Sequence, residues 1–264
     1  MAELLVIGCR AGSPGGDSPA SGYTLFAEDK TLLIDCGPGV VASLARQNLI
    51  QQLDAVIVTH AHADHCADLV ALAYHRLFPE RMKPLPLYGP AGLRSTLDAL
   101  DRVFGIPSLP ELNAPLAAAL PFTLLAADVS YEVEGVVLKT FRMVHPVETL
   151  ALRFSDLGLT YTSDGALTGE LCTFTECSHT LLAEATYLGG SGADLVSHGH
   201  MTAAQAGALA QDAGANRLVL THLADYGHAS LSLEEARGTF AGEVQVAAPG
   251  LRVLLHEDQK ESPQ

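Results

Sequence analysis

The chain has 264 residues, 48% of them hydrophobic, which is enough for one large domain with a sizeable core. Thirty acidic against fifteen basic residues leave a net charge of −15, which repels nucleic-acid backbones and argues against a long RNA or DNA partner, though a small anion can reach a locally positive site. Cys9, Cys36, Cys66, Cys172 and Cys177 are odd in number and contain no CxxC pair, so they signal neither a disulfide framework nor a cysteine zinc knuckle and fit a reduced, cytoplasmic protein.

The apolar run 4–7 is too short for a signal sequence or a membrane span, and no other segment reaches about 18 uninterrupted apolar residues, so no membrane association is expected. Strand signals occupy 4–8, 23–27, 31–35 and 55–59, with a Gly/Ser/Pro loop between the first two that is too long for a simple hairpin. Helical patterns follow at 38–47 and 66–77, then a strand at 85–88 and a helix at 91–103. The Pro-rich stretch 106–121 reads as a connection or as a linker between halves. Strands resume at 133–144, 149–154 and 159–162. After a mixed region come a helix at 202–213, a strand at 217–221, a helix at 232–240 and strands at 243–248 and 251–255. Strands cluster before helices in each half, which predicts two sheets packed together with helices outside. The halves share this rough organisation without a sequence repeat. One domain is expected over 1–258, followed by a polar tail at 259–264.

The densest chemistry lies at 59–69, THAHADHCADL, directly after an apolar strand. His60, His62, Asp64 and His65 have no helical or strand periodicity, and a loop at a strand end can turn all four inward. Imidazole nitrogens with carboxylate oxygens suit zinc, and manganese or iron less selectively. His145, Asp164 and His222 also each follow an apolar strand, although either of the first two, taken alone, is an ordinary turn residue.

The stretch His60-Ala61-His62-Ala63-Asp64-His65 resembles the H-x-H-x-D-H signature of the metallo-β-lactamase superfamily. The resemblance implies an α+β fold, a four-layer αββα sandwich. It also implies two metal ions: His60, His62 and His145 would hold one, Asp64, His65 and His222 the other, and Asp164 would bridge them. Two cations about 3.5–4 Å apart need an anionic bridge, and together they acidify a shared water. True β-lactamases of this fold commonly carry Cys where Asp164 stands, and flavodiiron-type proteins a carboxylate where His62 stands. Glyoxalase-II-like thioesterases share the ligand types but add a C-terminal helical domain, for which little chain remains after His222.

More specifically the chain resembles the ribonuclease Z-like phosphodiesterase branch. The matching stretches are Gly8 with its loop to Ser21-Gly22-Tyr23, Tyr161-Thr162-Ser163-Asp164, Ala183-Glu184-Ala185-Thr186-Tyr187, His200-Met201-Thr202-Ala203-Ala204-Gln205-Ala206 and Leu220-Thr221-His222. This resemblance makes His200 the proton donor to the departing oxygen, with Thr202 capping the helix behind it and Glu184 orienting His200 or a metal ligand. Asp64, His200 and Glu184 are thus the expected catalytic residues. Only 19 positions separate His145 from Asp164, which leaves no room for a tRNA-gripping arm. Asp68 replaces the branch's Gly, Ala183 its His, and Leu223-Ala224-Asp225-Tyr226 its phosphate-contacting Phe-Ser-x-Arg-Tyr. These departures point away from precursor tRNA.

The expected function is therefore dinuclear hydrolysis of a small phosphodiester, a cyclic nucleotide or cyclic sugar phosphate, with two zinc ions and a small anionic substrate. Alternatives are a lactonase or other carboxylic ester hydrolase, a noncatalytic metal-dependent sensor and, last, a tRNA 3′-processing endonuclease. The resemblance also suggests a homodimer. His75 is expected on a solvated helix face, His179 and His198 in loops, His256 near the tail and Cys66 in helix packing, while His228, six residues after His222, is a candidate pocket residue.

Overall fold

Along the first strand, β1 (Glu3–Gly8), Leu4 and Val6 face one apolar cluster while Leu5 and Ile7 face another, so the strand is buried on both sides. That double burial fixes the layers. The computed structural model describes residues 2–16, 18–190 and 194–255; the predicted tail at 259–264 and His256 lie outside them. β1, β2 (Gly22–Ala27), β3 (Lys30–Ile34), β4 (Ala55–Ile57), β5 (Leu87–Gly89) and β6 (Phe122–Leu124) form one sheet, with the last strand of the described chain, β14 (Arg252–Leu254), returning to pair with β1. The second sheet runs in the order β13 (Glu243–Val246), β12 (Arg217–Thr221), β11 (Thr180–Glu184), β10 (Leu159–Tyr161), β9 (Leu150–Phe154), β8 (Val136–Arg142) and β7 (Ser130–Val133).

Both sheets follow one plan. In the first, β14, β1, β2 and β3 pair antiparallel and β3, β4, β5 and β6 pair parallel. In the second, β7, β8, β9 and β10 pair antiparallel and β10 to β13 pair parallel. The twofold parallel read from the sequence is therefore a repeated strand topology. Between the sheets, Leu4, Tyr23, Leu25 and Ile57 pack on Leu150, Leu152, Phe154 and Tyr161. Each fully buried leucine or phenylalanine there contributes roughly 1.5–3 kcal/mol.

Helices cover the outer faces. α1 (Val40–Arg46), α3 (Leu69–Leu77), α4 (Ala91–Phe104) and α5 (Pro115–Ala119) bring Leu44, Leu69, Leu72, Leu93 and Leu116 onto Leu33 and Val56 of the first sheet. On the second sheet, α8 (Ala203–Asp212) and α9 (Ala229–Arg237) supply Ala206, Leu209 and Ala236 against Leu181 and Leu218, and Leu171 of α6 (Gly169–Thr175) joins them. The short α2 (Ala63–Cys66) and α7 (Leu195–His198) complete the helices named here. The result is the expected αββα sandwich.

Three readings need correction. The helix expected over 66–77 is two pieces, α2 and α3, parted at Ala67 and Asp68; the Asp68 carboxylate accepts from Val41 N–H at 3.0 Å and so anchors the start of α1. Segment 106–121 is not a linker between halves, because α5 within it buries Leu116 and Ala119 in the helix-covered cluster. The strand expected over 133–144 is the end of a hairpin, β7 and β8, turned at Glu134 and Gly135 in left-handed conformation. No helix among the described residues is long and apolar enough to cross a membrane.

Candidate metal centre

Strand ends create the site. The chain leaves β3 at Asp35, β10 at Ser163 and β12 at His222, and all three are non-glycine residues held at φ between 55° and 58°. Such backbone costs about 1–3 kcal/mol per residue and persists where side-chain contacts over-determine it. Here they do: Asp35 accepts from Thr59 N–H at 2.8 Å, Ser163 Oγ donates to Thr59 Oγ1 at 2.8 Å, and His222 Nδ1 lies 3.0 Å from Thr186 Oγ1. Gly37 lets the first loop close on α2, since a Cβ there would overlap the Asp64 carbonyl oxygen.

The histidines are oriented from behind. His65 Nδ1 donates to the buried Asp35 Oδ2 at 2.8 Å, His145 Nδ1 to the Gly199 carbonyl at 2.8 Å and His60 Nδ1 to Thr59 Oγ1 at 3.2 Å. Thr59 Oγ1 can accept because its own proton goes to the Asp35 carboxylate, and Thr186 Oγ1 accepts from His222 because its proton goes to Glu184 Oε2 at 2.6 Å. In each case the outer nitrogen is held as a donor and Nε2 points inward, where a bound cation would take its lone pair. His62 presents Nδ1 instead, 3.1 Å from His145 Nε2. Gly199 makes room for the backbone and ring of His145: its φ is 64°, and a Cβ would sit 2.7 Å from His145 Cα.

These inward atoms form two groups that share one carboxylate. His60, His62, His145 and Asp164 make the first, and Asp64, His65, Asp164 and His222 the second. Asp164 Oδ2 lies 3.6 Å from His60 Nε2, 3.4 Å from His65 Nε2 and 3.3 Å from His222 Nε2, while His222 Nε2 is 3.1 Å from Asp64 Oδ2. Ligands about 2.0–2.1 Å from a tetrahedral zinc stand roughly 3.3 Å from each other, which these separations match. His60 Nε2 and Asp164 Oδ1 are also buried with no hydrogen-bond partner, a costly state for polar atoms unless something else binds them. The residues thus fit a pair of divalent cations.

The electrostatics agree in direction. Burial lowers the pKa of His60, His62 and His145, which favours the neutral, ligating imidazole. Burial opposes the charge on Asp64 and Asp164, but neighbouring histidines prevail: the His222 hydrogen bond and His65 at Asp64, His222 and His65 at Asp164. Both carboxyls are held below the ordinary range. His65 goes the other way, because the Asp164 and Asp35 carboxylates outweigh its burial, so a cation must displace its proton.

A third cluster, Glu184, His200 and His222, stands beside the second group. Glu184 is buried and accepts from Gly165 N–H at 2.7 Å, Met201 N–H at 3.2 Å, Thr186 Oγ1 and His200 Nδ1, the last at 3.0 Å. A carboxylate so engaged is suited to fixing His200 and poorly suited to holding an ion. Burial alone would lower the His200 pKa, but the Glu184 hydrogen bond and charge raise it. Thr202 accepts from Gln205 N–H at 3.2 Å in a full capping box, which anchors α8 directly behind His200.

The remaining residues divide clearly. Cys66 is buried in the helix-side cluster, His75 is half-buried on α3 and His179 precedes β11 in a loop. His198 ends α7 and does not lie in a loop as expected, while His228 lines a cavity beside the site. Ala183 packs on the outer face of its sheet, against the helices. Sequence reading missed Asp35, Thr186 and Gly12, whose N–H donates to Asp64 Oδ2 at 2.7 Å. Asp35 carried a usable signal, since it follows the apolar Leu32-Leu33-Ile34 in the way His222 follows β12.

A mixed-sheet αββα sandwich with two histidine–aspartate groups sharing one aspartate is the architecture of the metal-dependent hydrolases. The family profile described as the Beta-lactamase superfamily domain matches residues 30–223, and the chain belongs to that superfamily. It is 32% identical to "Probable metallo-hydrolase YhfI" of Bacillus subtilis over 94% of this chain and 98% of that one. The crystal structure of YhfI superposes with a TM-score of 0.83 at 29% identity, covering 96% of this chain and 99% of the other. A ribonuclease Z of Salinispora arenicola is 26% identical over 93% of each chain. A diphosphatase from the PhnP family shares the fold, with a TM-score of 0.73 at 20% identity over 97% of this chain and 99% of that one. The chain is accordingly a metal-dependent hydrolase with ribonuclease Z-like relatives.

Proposed function

We propose that the chain hydrolyses a small anionic phosphodiester, a cyclic nucleotide or a cyclic sugar phosphate, with His200 protonating the leaving oxygen. The observation that carries this reading is the buried Glu184 carboxylate 3.0 Å from His200 Nδ1. It keeps a proton on Nδ1 and raises the His200 pKa, which favours the imidazolium, whose second proton, on Nε2, is the one to be given up. An alkoxide leaving phosphorus is a poor leaving group and needs such a donor. Two relatives bear the names of a ribonuclease and a diphosphatase, both enzymes of phosphorus–oxygen bonds, which supports the choice of phosphorus over carbon.

His60, His62 and His145 would hold one divalent cation and Asp64, His65 and His222 a second, with Asp164 shared; the nitrogen and oxygen donors suit zinc first, then manganese or iron. Such cations, when bound, supply Lewis acidity toward a phosphoryl oxygen and lower the pKa of water. Gly12 N–H steadies the anionic Asp64, which can orient a water by hydrogen bonding. Charge balance requires one water proton to reach solvent while His200 gives its proton to the departing oxygen. The net charge of −15 disfavours long nucleic acids as substrates.

The test is an activity panel on one metal-loaded sample. Turnover of bis(p-nitrophenyl) phosphate and cyclic nucleotides, with weak turnover of lactones and thioesters, is expected. Efficient lactone or thioester hydrolysis with both phosphodiesters untouched would overturn the assignment.

A further inference from the structure

Two buried carboxylates each hold a pair of histidines, one directly and one through a threonine hydroxyl. Asp35, leaving β3, accepts from His65 Nδ1 at 2.8 Å and from Thr59 Oγ1 at 3.0 Å, and that hydroxyl lies 3.2 Å from Nδ1 of His60 beyond β4. Glu184, ending β11, accepts from His200 Nδ1 at 3.0 Å and from Thr186 Oγ1 at 2.6 Å, and that hydroxyl lies 3.0 Å from Nδ1 of His222 beyond β12. β3 pairs parallel with β4 and β11 with β12, so in both sheets the carboxylate and the second histidine leave neighbouring strands at the same edge.

The two arrangements differ in what they join. Asp35 ties His60, of the first ligand group, to His65, of the second. Glu184 ties His222, of the second group, to His200, which stands outside both groups that share Asp164. Thr186 Oγ1 is the common point, because it also lies 3.3 Å from His200 Nδ1, and the His200 and His222 rings stack with centroids 5.7 Å apart. A hydroxyl has one proton and two lone pairs. The charged Glu184 oxygen at 2.6 Å outcompetes the His222 carbonyl at 3.1 Å for the proton, which leaves the lone pairs for the two imidazoles. One buried oxygen thus faces the outer nitrogen of a metal ligand and that of the proposed proton donor.

We infer that Thr186 is a positioning residue shared by the second cation site and the proton donor: its hydroxyl aims His222 into the second ligand group and, through Glu184, sets His200. A methyl group in its place leaves His222 Nδ1–H buried without its acceptor. It also strips Glu184 Oε2 of its shortest donor, and Met201 N–H at 3.2 Å and Thr186 N–H at 3.4 Å remain on that oxygen. His60, His62 and His145 are not touched by the change, since Thr59 and the Gly199 carbonyl stand behind His60 and His145. The two cation sites should therefore respond unequally. His200's part in this rests on its role as proton donor proposed above; that of His222 does not.

The experiment compares the full wild-type chain with Thr186→Val, which has nearly the same shape without the hydroxyl, and Thr186→Ser, which restores it. Zinc affinity is read by chelator competition, and kcat at saturating zinc is read on an alkyl phosphodiester and on bis(p-nitrophenyl) phosphate. Thr186→Val should weaken one of the two zinc ions roughly 10–100-fold and leave the other within about threefold. It should also lose about tenfold more kcat on the alkyl diester than on the nitrophenyl one, a part of the roughly 10²–10⁴ that a general acid supplies. Thr186→Ser should return both readouts to within about threefold of the wild type. Native affinity for both ions in a folded Thr186→Val protein, equal weakening of both, or a serine variant no better than valine would overturn the role at His222, and equal losses on the two diesters the role at His200. Thr186→Ala carries the same readouts if the valine variant does not fold. Zinc affinity that follows the hydroxyl, together with no hydrolysis of any diester by the wild type, would instead sink the phosphodiesterase reading and leave the hold on His222 standing.

Discussion

Asp35→Asn replaces one oxygen by a nitrogen of nearly the same size, yet it should damage the metal centre. In the native chain Oδ1 accepts from Thr59 N–H at 2.8 Å and Thr59 Oγ1 at 3.0 Å, while Oδ2 accepts from His65 Nδ1 at 2.8 Å and the Tyr161 hydroxyl at 3.1 Å. Asparagine can keep its oxygen on Thr59, and its NH2 then faces His65. Two donors cannot share that hydrogen bond, so His65 must move its proton to Nε2, the atom that points into the second ligand group. Loss of such a partner typically weakens metal binding 10–100-fold, or roughly 1.4–2.8 kcal/mol at 1.4 kcal/mol per decade. Apo stability should fall by about 2 kcal/mol, the worth of a hydrogen bond to a charged group. Competition against a chelator of known affinity, alongside urea unfolding in excess chelator, separates the two effects. Tyr161→Phe, which removes only a donor to Asp35, should bind metal nearly as the wild type does. A folded Asp35→Asn protein that binds both cations with native affinity would refute the reasoning.

Glu184→Gln should lower the pKa of His200, because the native carboxylate is what raises it; since the protonated imidazole is the active form, the alkaline limb of the pH–rate profile should shift to lower pH for alkyl diesters. An unshifted limb would separate Glu184 from proton donation. Asp68→Ala should cost about 1 kcal/mol in urea unfolding while turnover stays within twofold, because the carboxylate caps α1 and does not reach the ligands. Asp68→Asn should cost less near neutral pH: burial raises the Asp68 pKa, so ionisation removes stability as pH rises through the ordinary carboxylate range and above it. Excess chelator should lower the melting temperature, and a cation at a thousand times its Kd should restore about 4 kcal/mol, read by thermal unfolding at graded metal concentrations.

Much of the site was legible because its parts obey one local rule, a polar residue released at the end of an apolar strand. His60, His145, Asp164 and His222 all follow it, and their inward atoms meet. Asp35 follows the same rule, but its position before Cys36-Gly37-Pro38 also reads as a turn, and its role depends on His65 thirty residues away. The departure at Asp68 was read as bearing on substrate, whereas its carboxylate serves helix α1; only the tertiary contact with Val41 reveals that. Pattern failed at α5 because prolines flank a single buried turn, too short for periodicity to register. The cavity lined by Thr186, Asp225 and His228 was out of reach for a similar reason: its walls come from separate segments, and of its residues only His228 was expected to line a pocket.

The proposed hydrolysis depends on His200 as proton donor, and leaving-group dependence tests that role most directly. His200→Ala should be compared with the wild type on an alkyl phosphodiester and on bis(p-nitrophenyl) phosphate, with both proteins shown to hold the same metal content. A loss of roughly 10²–10⁴ in kcat is expected for the alkyl leaving group, with a much smaller loss for p-nitrophenolate, which departs without a proton. Equal losses on the two substrates, or none on the alkyl diester, would contradict the assignment of His200 as proton donor.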